Sequence, residues 1–273
     1  MNLTFDATAS TFERYRSLPS EAPKAIRAAI WAAAHLSGPA RVLDIGAGTG
    51  RIGKAFVTAG DFYVGVDTSL AMLQEFPATS GNCLLIQADG QELPFRDGSF
   101  DIVLLFQVLS SVDNWRSVLK EVRRVLRPGG CVAVGHTASP ESGIDTQLKR
   151  RLTAILSEMQ VESHRPEKSR RQALAWLESS SVRHVHSQVV SWNVNATPQE
   201  FLLRHSTGAR FAALPASVRE QALQKLCVWA ETEFGSTDAQ FQEKRSIELD
   251  IFELQEGAGR DFAAPPYEKH NRR

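Results

Sequence analysis

Residues 42–53, VLDIGAGTGRIG, constrain the fold of this 273-residue chain more than any other stretch. An apolar run with β-branched members (Val42, Leu43, Ile45) passes into glycines at positions 46, 48 and 50, and the pattern then predicts a helix over about 51–59. Strand, glycine turn and helix are the first half of a nucleotide-binding βαβ unit. Without a Cβ, glycine lets the backbone turn sharply off the strand and approach a ligand closely. The helix start points free N–H groups toward an anion. Gly48, Gly50 and Gly53 also satisfy the dinucleotide spacing G-x-G-x-x-G. Asp44 separates the two readings, because it ends the strand two residues before the first glycine and makes D-x-G-x-G-x-G. A carboxylate there suits a ligand carrying an ammonium group better than one carrying a pyrophosphate.

Seven strands are expected, at 42–45, 62–66, 83–87, 100–107, 131–136, 182–192 and 246–254. Helices are expected at 20–36 (capped by Ser20), 69–76, 114–127, 144–160 and 167–178, and within 198–234. Strand 100–107 is apolar almost throughout, the mark of a parallel sheet covered on both faces. The expected fold is therefore α/β, a Rossmann-like sheet of seven mostly parallel strands with helices on both faces and a helical cap. Residues 1–40 would be an N-terminal segment and helix, 41–254 the sheet domain and 255–273 a mobile tail. Cap insertions at about 139–165 and 195–240 leave the carboxyl edge of the sheet, where open parallel sheets bind ligands. Together with the N-terminal segment they are expected to fold over the site. Asp67, at the end of the second strand, stands where a nucleotide-binding fold needs a carboxylate for ribose hydroxyls.

Composition narrows the partners. Lys plus Arg and Asp plus Glu each number 31, so whole-chain charge favours neither nucleic acid nor an anionic membrane. Without a signal pattern or an apolar run of spanning length, the expected location is cytoplasmic. Three cysteines, with no Cys-x-x-Cys spacing, read as buried free thiols and give no metal site. His184 and His186 alternate on a strand and share a face, but no acidic partner is evident at metal-ligand spacing. The basic residues Lys149, Arg150, Arg151, Arg165, Lys168, Arg170 and Arg171 read as a solvated face or as a contact for an anionic substrate or RNA.

Asp44 with its glycines, Asp67-Thr68-Ser69, Ala88-Asp89-Gly90, Leu93-Pro94-Phe95, Phe100-Asp101 and Leu126-Arg127-Pro128-Gly129-Gly130 follow one another in a definite order. Together they resemble the class I S-adenosylmethionine-dependent methyltransferases, most of all the small-molecule branch that includes ubiquinone and menaquinone biosynthesis. The resemblance spans roughly residues 41–136. It implies S-adenosyl-L-methionine as cofactor, with Gly46, Ala47, Gly48 and Gly50 closing on the methionine portion and Asp44 facing its amino group. Asp67 and Thr68 would meet the ribose, Asp89 and the N–H of Gly90 the adenine edge, and Phe106 and Gln107 the reactive methyl.

Transfer would be an in-line displacement, which asks the protein to align the reactants and exclude water. If the acceptor needs a base, His136 at the end of strand five is best placed and His205 next. Relatives often carry a Leu-His-His-like run after strand four, where this chain has Leu109-Ser110-Ser111. Tyr15 and Arg16 lie in a segment that crosses the cofactor as a flap in similar enzymes, making Tyr15 the second catalytic candidate. Leu152, Leu156, Met159, Phe201, Leu202 and Phe211 are expected to face inward and to select a small, largely apolar acceptor. The expected partner is that small molecule, without membrane or nucleic acid, for a monomer or homodimer. The alternatives are an RNA methyltransferase and a non-catalytic partner protein of the same fold.

Overall fold

The computed structural model describes residues 16, 18–77, 82–112, 114–161, 166–206, 208, 211 and 213–255. Strands β1 (Arg41–Ile45), β2 (Phe62–Asp67), β3 (Cys83–Gln87), β4 (Phe100–Phe106) and β5 (Leu126–Ala138) are joined in parallel. Beyond them β7 (Phe241–Leu254) pairs antiparallel with both β5 and β6 (Ser181–Ala196), and the sheet order is β3-β2-β1-β4-β5-β7-β6.

Side chains leave the strands on alternate faces, and both faces are covered. Leu43, Ile45, Val103, Leu105, Val132 and Val134 pack on one side with Val118, Leu119 and Val122 of α4 (Trp115–Val125) and with Ala173 and Leu177 of α6 (Pro166–Ser179). Val42, Ile102, Leu104, Cys131 and Ala133 face the other way. They meet Ile26, Ile30 and Trp31 of α1 (Ala22–Ala33) and Phe56 and Val57 of α2 (Lys54–Thr58). A short α3 (Leu70–Gln74) follows β2, with Ser69 capping it by accepting the Met72 amide at 3.2 Å.

A third core stands apart from the sheet faces. α5 (Ile144–Glu158), α7 (Pro198–Ser206) and α8 (Ala216–Phe234) bury Leu148, Leu152, Ile155, Leu156, Phe201, Leu226 and Ala230 against one another. Its placement follows from strand length. β5 pairs with β7 only as far as Ala138↔Ser246, whereas β6 and β7 continue pairing to Ala196↔Phe241. The two long strands therefore run on as a ribbon past the carboxyl end of β5. Val194, Ala196 and Phe241 on that ribbon join the helical core. A helical body at this edge was expected from the insertions, and the ribbon is what holds it there.

Several boundaries differ from those predicted. Residues 51–53 form a turn, so the helix after the glycines is only α2. The first helix starts at Ala22 with Glu21 at its N-cap and no side-chain cap, and Ser20 does not serve it. The 198–234 region breaks into α7 and α8, with Pro215 at the N-cap of the latter. Strand β5 begins at Leu126 and carries Pro128, Gly129 and Gly130 within it, accommodated by a register shift between Phe100 and Ile102. The 255–273 tail lies outside the described residues except for Gln255, and so does Tyr15.

Candidate active site

The carboxyl ends of β1, β2, β3 and β4 surround a cavity of about 300 Å³. Of the predicted cofactor residues, Asp44, Gly46, Ala47, Gly48, Asp67, Thr68, Asp89, Gly90, Phe106 and Gln107 all line it. Gly50 is not on that wall. It stands behind, where a Cβ would lie 2.5 Å from the Phe76 ring. Gly46, Gly48 and Gly50 have φ of 77°, 56° and 79°, a region that side chains disfavour, so the turn needs glycine.

The amides of that turn are directed differently from the sequence expectation. Gly46 and Ala47 donate to the Val66 carbonyl at 2.7 and 3.0 Å, tying the loop to β2. Gly48 donates to Asp67 Oδ2 at 2.9 Å, and Ser69 donates to Oδ1 at 2.9 Å. Asp67 is thus pinned at the strand end by two backbone N–H groups. Asp89 is held similarly, by the Gln91 amide on Oδ1 at 2.9 Å.

Asp44 is buried, 2% exposed, and its Oδ2 accepts the Tyr63 hydroxyl at 2.6 Å. Burial pushes its carboxyl up to about 7; the Tyr63 hydrogen bond opposes this and the Asp67 charge adds to it. Gly53 makes the pair feasible, since a Cβ there would lie 2.1 Å from the Tyr63 hydroxyl oxygen. Tyr63 was missed from sequence. Its only signal was an aromatic residue inside β2 and in register with Val42, two residues from Asp44 on the neighbouring strand.

Gln107, just past β4, holds φ 61°, a conformation that costs a non-glycine residue about 1–3 kcal/mol. Its amide donates to the Gly135 carbonyl at 2.8 Å, and its Oε1 accepts from Arg51 at 3.2 Å. Arg51 also donates to the Arg16 carbonyl, and Arg16 reaches the Arg204 carbonyl at 2.6 Å. Arg16 therefore links the N-terminal segment to α7 across the mouth of the cavity.

A second cavity of about 720 Å³ lies between the sheet edge and the helical body. Arg16, Arg51, Gln107, Val108, Ser111 and Gly208 line both cavities, so the two are contiguous. His136 and His205 line the larger one. An Arg170 nitrogen lies 2.9 Å from both ring nitrogens of His136. Burial and, next, the Arg170 charge hold that imidazole down to about 4. His205 stacks on Phe201 at 3.8 Å and is held to about 3, by burial first and then by Arg204 and Lys149. Both rings are neutral at pH 7 and are weak bases. Leu152, Leu156, Phe201 and Phe211, expected to face the acceptor, are instead buried in the helical core, where Met159 and Leu202 pack on them. An apolar stripe of helical period marks a face that is covered, and here its cover is the other cap helices.

His184 and His186 do have an acidic partner across the strand pair. Asp250 Oδ1 lies 2.9 Å from a ring nitrogen of each. Among the described residues, no group of three or more His, Cys, Asp or Glu side chains is arranged to hold a metal ion. Cys83, Cys131 and Cys227 are free thiols. No helix among the described residues is long and apolar enough to cross a membrane.

Residues 43–134, which carry the glycine turn and the three strand-end aspartates, match the family of methyltransferase domains. The chain is 39% identical to an uncharacterized methyltransferase of Mycobacterium tuberculosis over 130 residues, 48% of this chain and 50% of the relative. It is 35% identical to a demethylmenaquinone methyltransferase of Corynebacterium urealyticum over 129 residues, 46% of this chain and 55% of the relative. The chain thus spans about half the length of the curated relatives it matches. The fold extends further than the identity. A Haemonchus contortus phosphoethanolamine N-methyltransferase 2, solved with phosphomonomethylethanolamine and S-adenosylhomocysteine, superimposes with a TM-score of 0.52 at 17% identity. That match covers 92% of this chain and 58% of the other. Residues 43–134 thus match a methyltransferase domain, on a fold shared with that enzyme.

Proposed function

We propose that the protein is an S-adenosylmethionine-dependent methyltransferase acting on a small molecule. One observation carries this reading: Asp44, Asp67 and Asp89, from the ends of three different strands, line one cavity beside the glycine turn. The cavity's volume suits a small ligand, and its chemistry suits one with an ammonium group, a diol and an amino-purine edge. When bound, S-adenosylmethionine supplies a sulfonium-activated methyl group for in-line displacement. Asp44 would hold the amino group, Asp67 with Thr68 the ribose, and Asp89 with the Gly90 amide the adenine. Phe106 and Gln107 would line the end nearest the acceptor. A bound S-adenosylhomocysteine in the Haemonchus contortus enzyme of the same fold supports this choice.

The larger cavity is the acceptor's side of the site, and residues 139–165 and 195–240 act as its cap. Arg16 stands at the junction of the two cavities and helps keep water from the reacting atoms. Leu18, Val108, Leu109, Trp192 and Val194 offer an apolar wall to the acceptor's body. His136 is at hand to accept a proton, but its low basicity suits an acceptor that arrives already nucleophilic. Native mass spectrometry of the purified chain tests the reading. A retained mass of S-adenosylmethionine or S-adenosylhomocysteine is expected, exchangeable with added S-adenosylhomocysteine. Retention of a nicotinamide dinucleotide instead would overturn it.

A further inference from the structure

His136 and His205 both line the larger cavity, and their hydrogen bonds leave them with different chemistry. A guanidinium can only donate, so Arg170, 2.9 Å from the His136 ring nitrogens, takes the lone pair of that neutral ring. His205 is the other case. Its Nδ1 lies 3.2 Å from the Phe201 carbonyl, one turn back in α7. A carbonyl oxygen can only accept, so Nδ1 carries the proton and donates it. Nε2 of the neutral ring is then a bare lone pair. The ring's orientation is fixed a second time by its stack on buried Phe201, with centroids 3.8 Å apart and planes 21° from parallel. Nor is Nε2 sealed away, since the buried, unpartnered side-chain nitrogens and oxygens of the described residues all belong to arginines. With Nδ1 held against its own helix, the edge that His205 offers to the chamber is the Nε2 edge. Burial, then the charges of Arg204 and Lys149, keep the ring neutral at pH 7 and so preserve that lone pair.

We propose that His205 is a specificity-determining residue of the acceptor site, receiving on Nε2 a hydrogen bond from a neutral O–H or N–H group of the methyl acceptor. The proposal rests on the methyltransferase reading above and adds the acceptor's class to it: a largely apolar small molecule that carries such a donor. Leu18, Val108, Leu109, Trp192 and Val194 meet its body, and His205 meets its donor group. A fixed lone pair also selects against alternatives, because a carboxylate, ketone or ether brings only further lone pairs to it. With its basicity at about 3, the ring holds the donor group without deprotonating it.

The test uses the full chain saturated with S-adenosylhomocysteine, isotopically labelled at its histidine ring nitrogens and read by nitrogen NMR. The His205 resonances, identified by their loss in His205→Gln, should show a proton on Nδ1 and a bare Nε2. Naphthol should move the Nε2 resonance toward the protonated position. The matching fluoronaphthalene, similar in shape but with no proton to give, should leave it in place. The affinity ratio of naphthol to fluoronaphthalene should fall at least about fivefold on His205→Phe, which keeps an aromatic ring for the stack and loses the lone pair. His205→Gln, which keeps a side-chain oxygen, should retain part of the preference. If the Phe variant does not fold, the NMR comparison on the wild-type chain carries the test. A proton on Nε2 in place of Nδ1, an Nε2 resonance that does not respond to naphthol, or an affinity ratio unchanged by His205→Phe would overturn the proposal. Failure of S-adenosylhomocysteine itself to bind would instead overturn the methyltransferase reading beneath it.

Discussion

Asp44 lies inside the protein with one oxygen on Tyr63, so its negative charge is costly until a cation meets it. With its carboxyl at about 7, a proton would compete with the ammonium group of the proposed cofactor for the same oxygen pair. The folded-state value is raised, so ionisation, and with it binding, is lost as pH falls through 7. Affinity for S-adenosylhomocysteine should drop roughly tenfold between pH 8 and pH 6, and Asp44→Asn should flatten the profile at its weak end. Calorimetry at the two pH values checks this, and a flat wild-type profile would contradict it. His136 behaves oppositely, being neutral from well below pH 6 upward. His136→Gln should therefore change kcat without moving the kcat–pH profile between 6 and 8; loss of an inflection there would mark a titrating base. The placement of Asp44 beside its glycine turn was readable from the sequence because that geometry is local. Tyr63 and the clearance at Gly53 were not, since they depend on how β2 packs against α2.

At the level of elements, the sheet edge is built by fastening helices to strand ends with buried charge. Asp61, between α2 and β2, is fully buried and takes Arg27 of α1 in a bidentate pair at 2.7 and 3.0 Å, while accepting the Ala40 amide at 3.3 Å. Removing one partner leaves a charge stranded, so Arg27→Ala should cost about 3 kcal/mol. Urea denaturation should resolve it, and a loss below about 1 kcal/mol would mean that water reaches Asp61. Strand positions were readable because apolar runs bounded by Asp and Gly repeat along residues 41–136. Less readable were the lengths of β6 and β7. Alternating pattern continues into Trp192–Ala196 with polar residues outward, which resembles loop until the partner strand is known.

Across the whole molecule, two units meet at one edge: a sheet domain holding the first cavity and a helical body roofing the second. Arg16 joins them, through Arg51 on one side and the Arg204 carbonyl on the other. Arg16→Ala should lower kcat/KM at least tenfold while shifting the denaturation midpoint little, and comparable losses in both would make Arg16 an ordinary packing residue. The position of the helical body was readable from where the insertions leave the strands. The character of the chamber was not, because helical periodicity predicts that Phe201 and Leu152 are covered but not by what. Nor does sequence say where Arg204, Arg245 and Arg16, distant in the chain, will converge. The central claim is that the carboxylates at the ends of β1, β2 and β3 form a cofactor site, and titration calorimetry tests it most directly. S-adenosylhomocysteine should bind the wild-type chain at one site and NAD should not. Asp67→Ala, losing charge-assisted hydrogen bonds of about 1.5–3 kcal/mol each, should weaken it at least tenfold. No heat with S-adenosylhomocysteine, or an affinity unchanged by Asp67→Ala, would contradict the account.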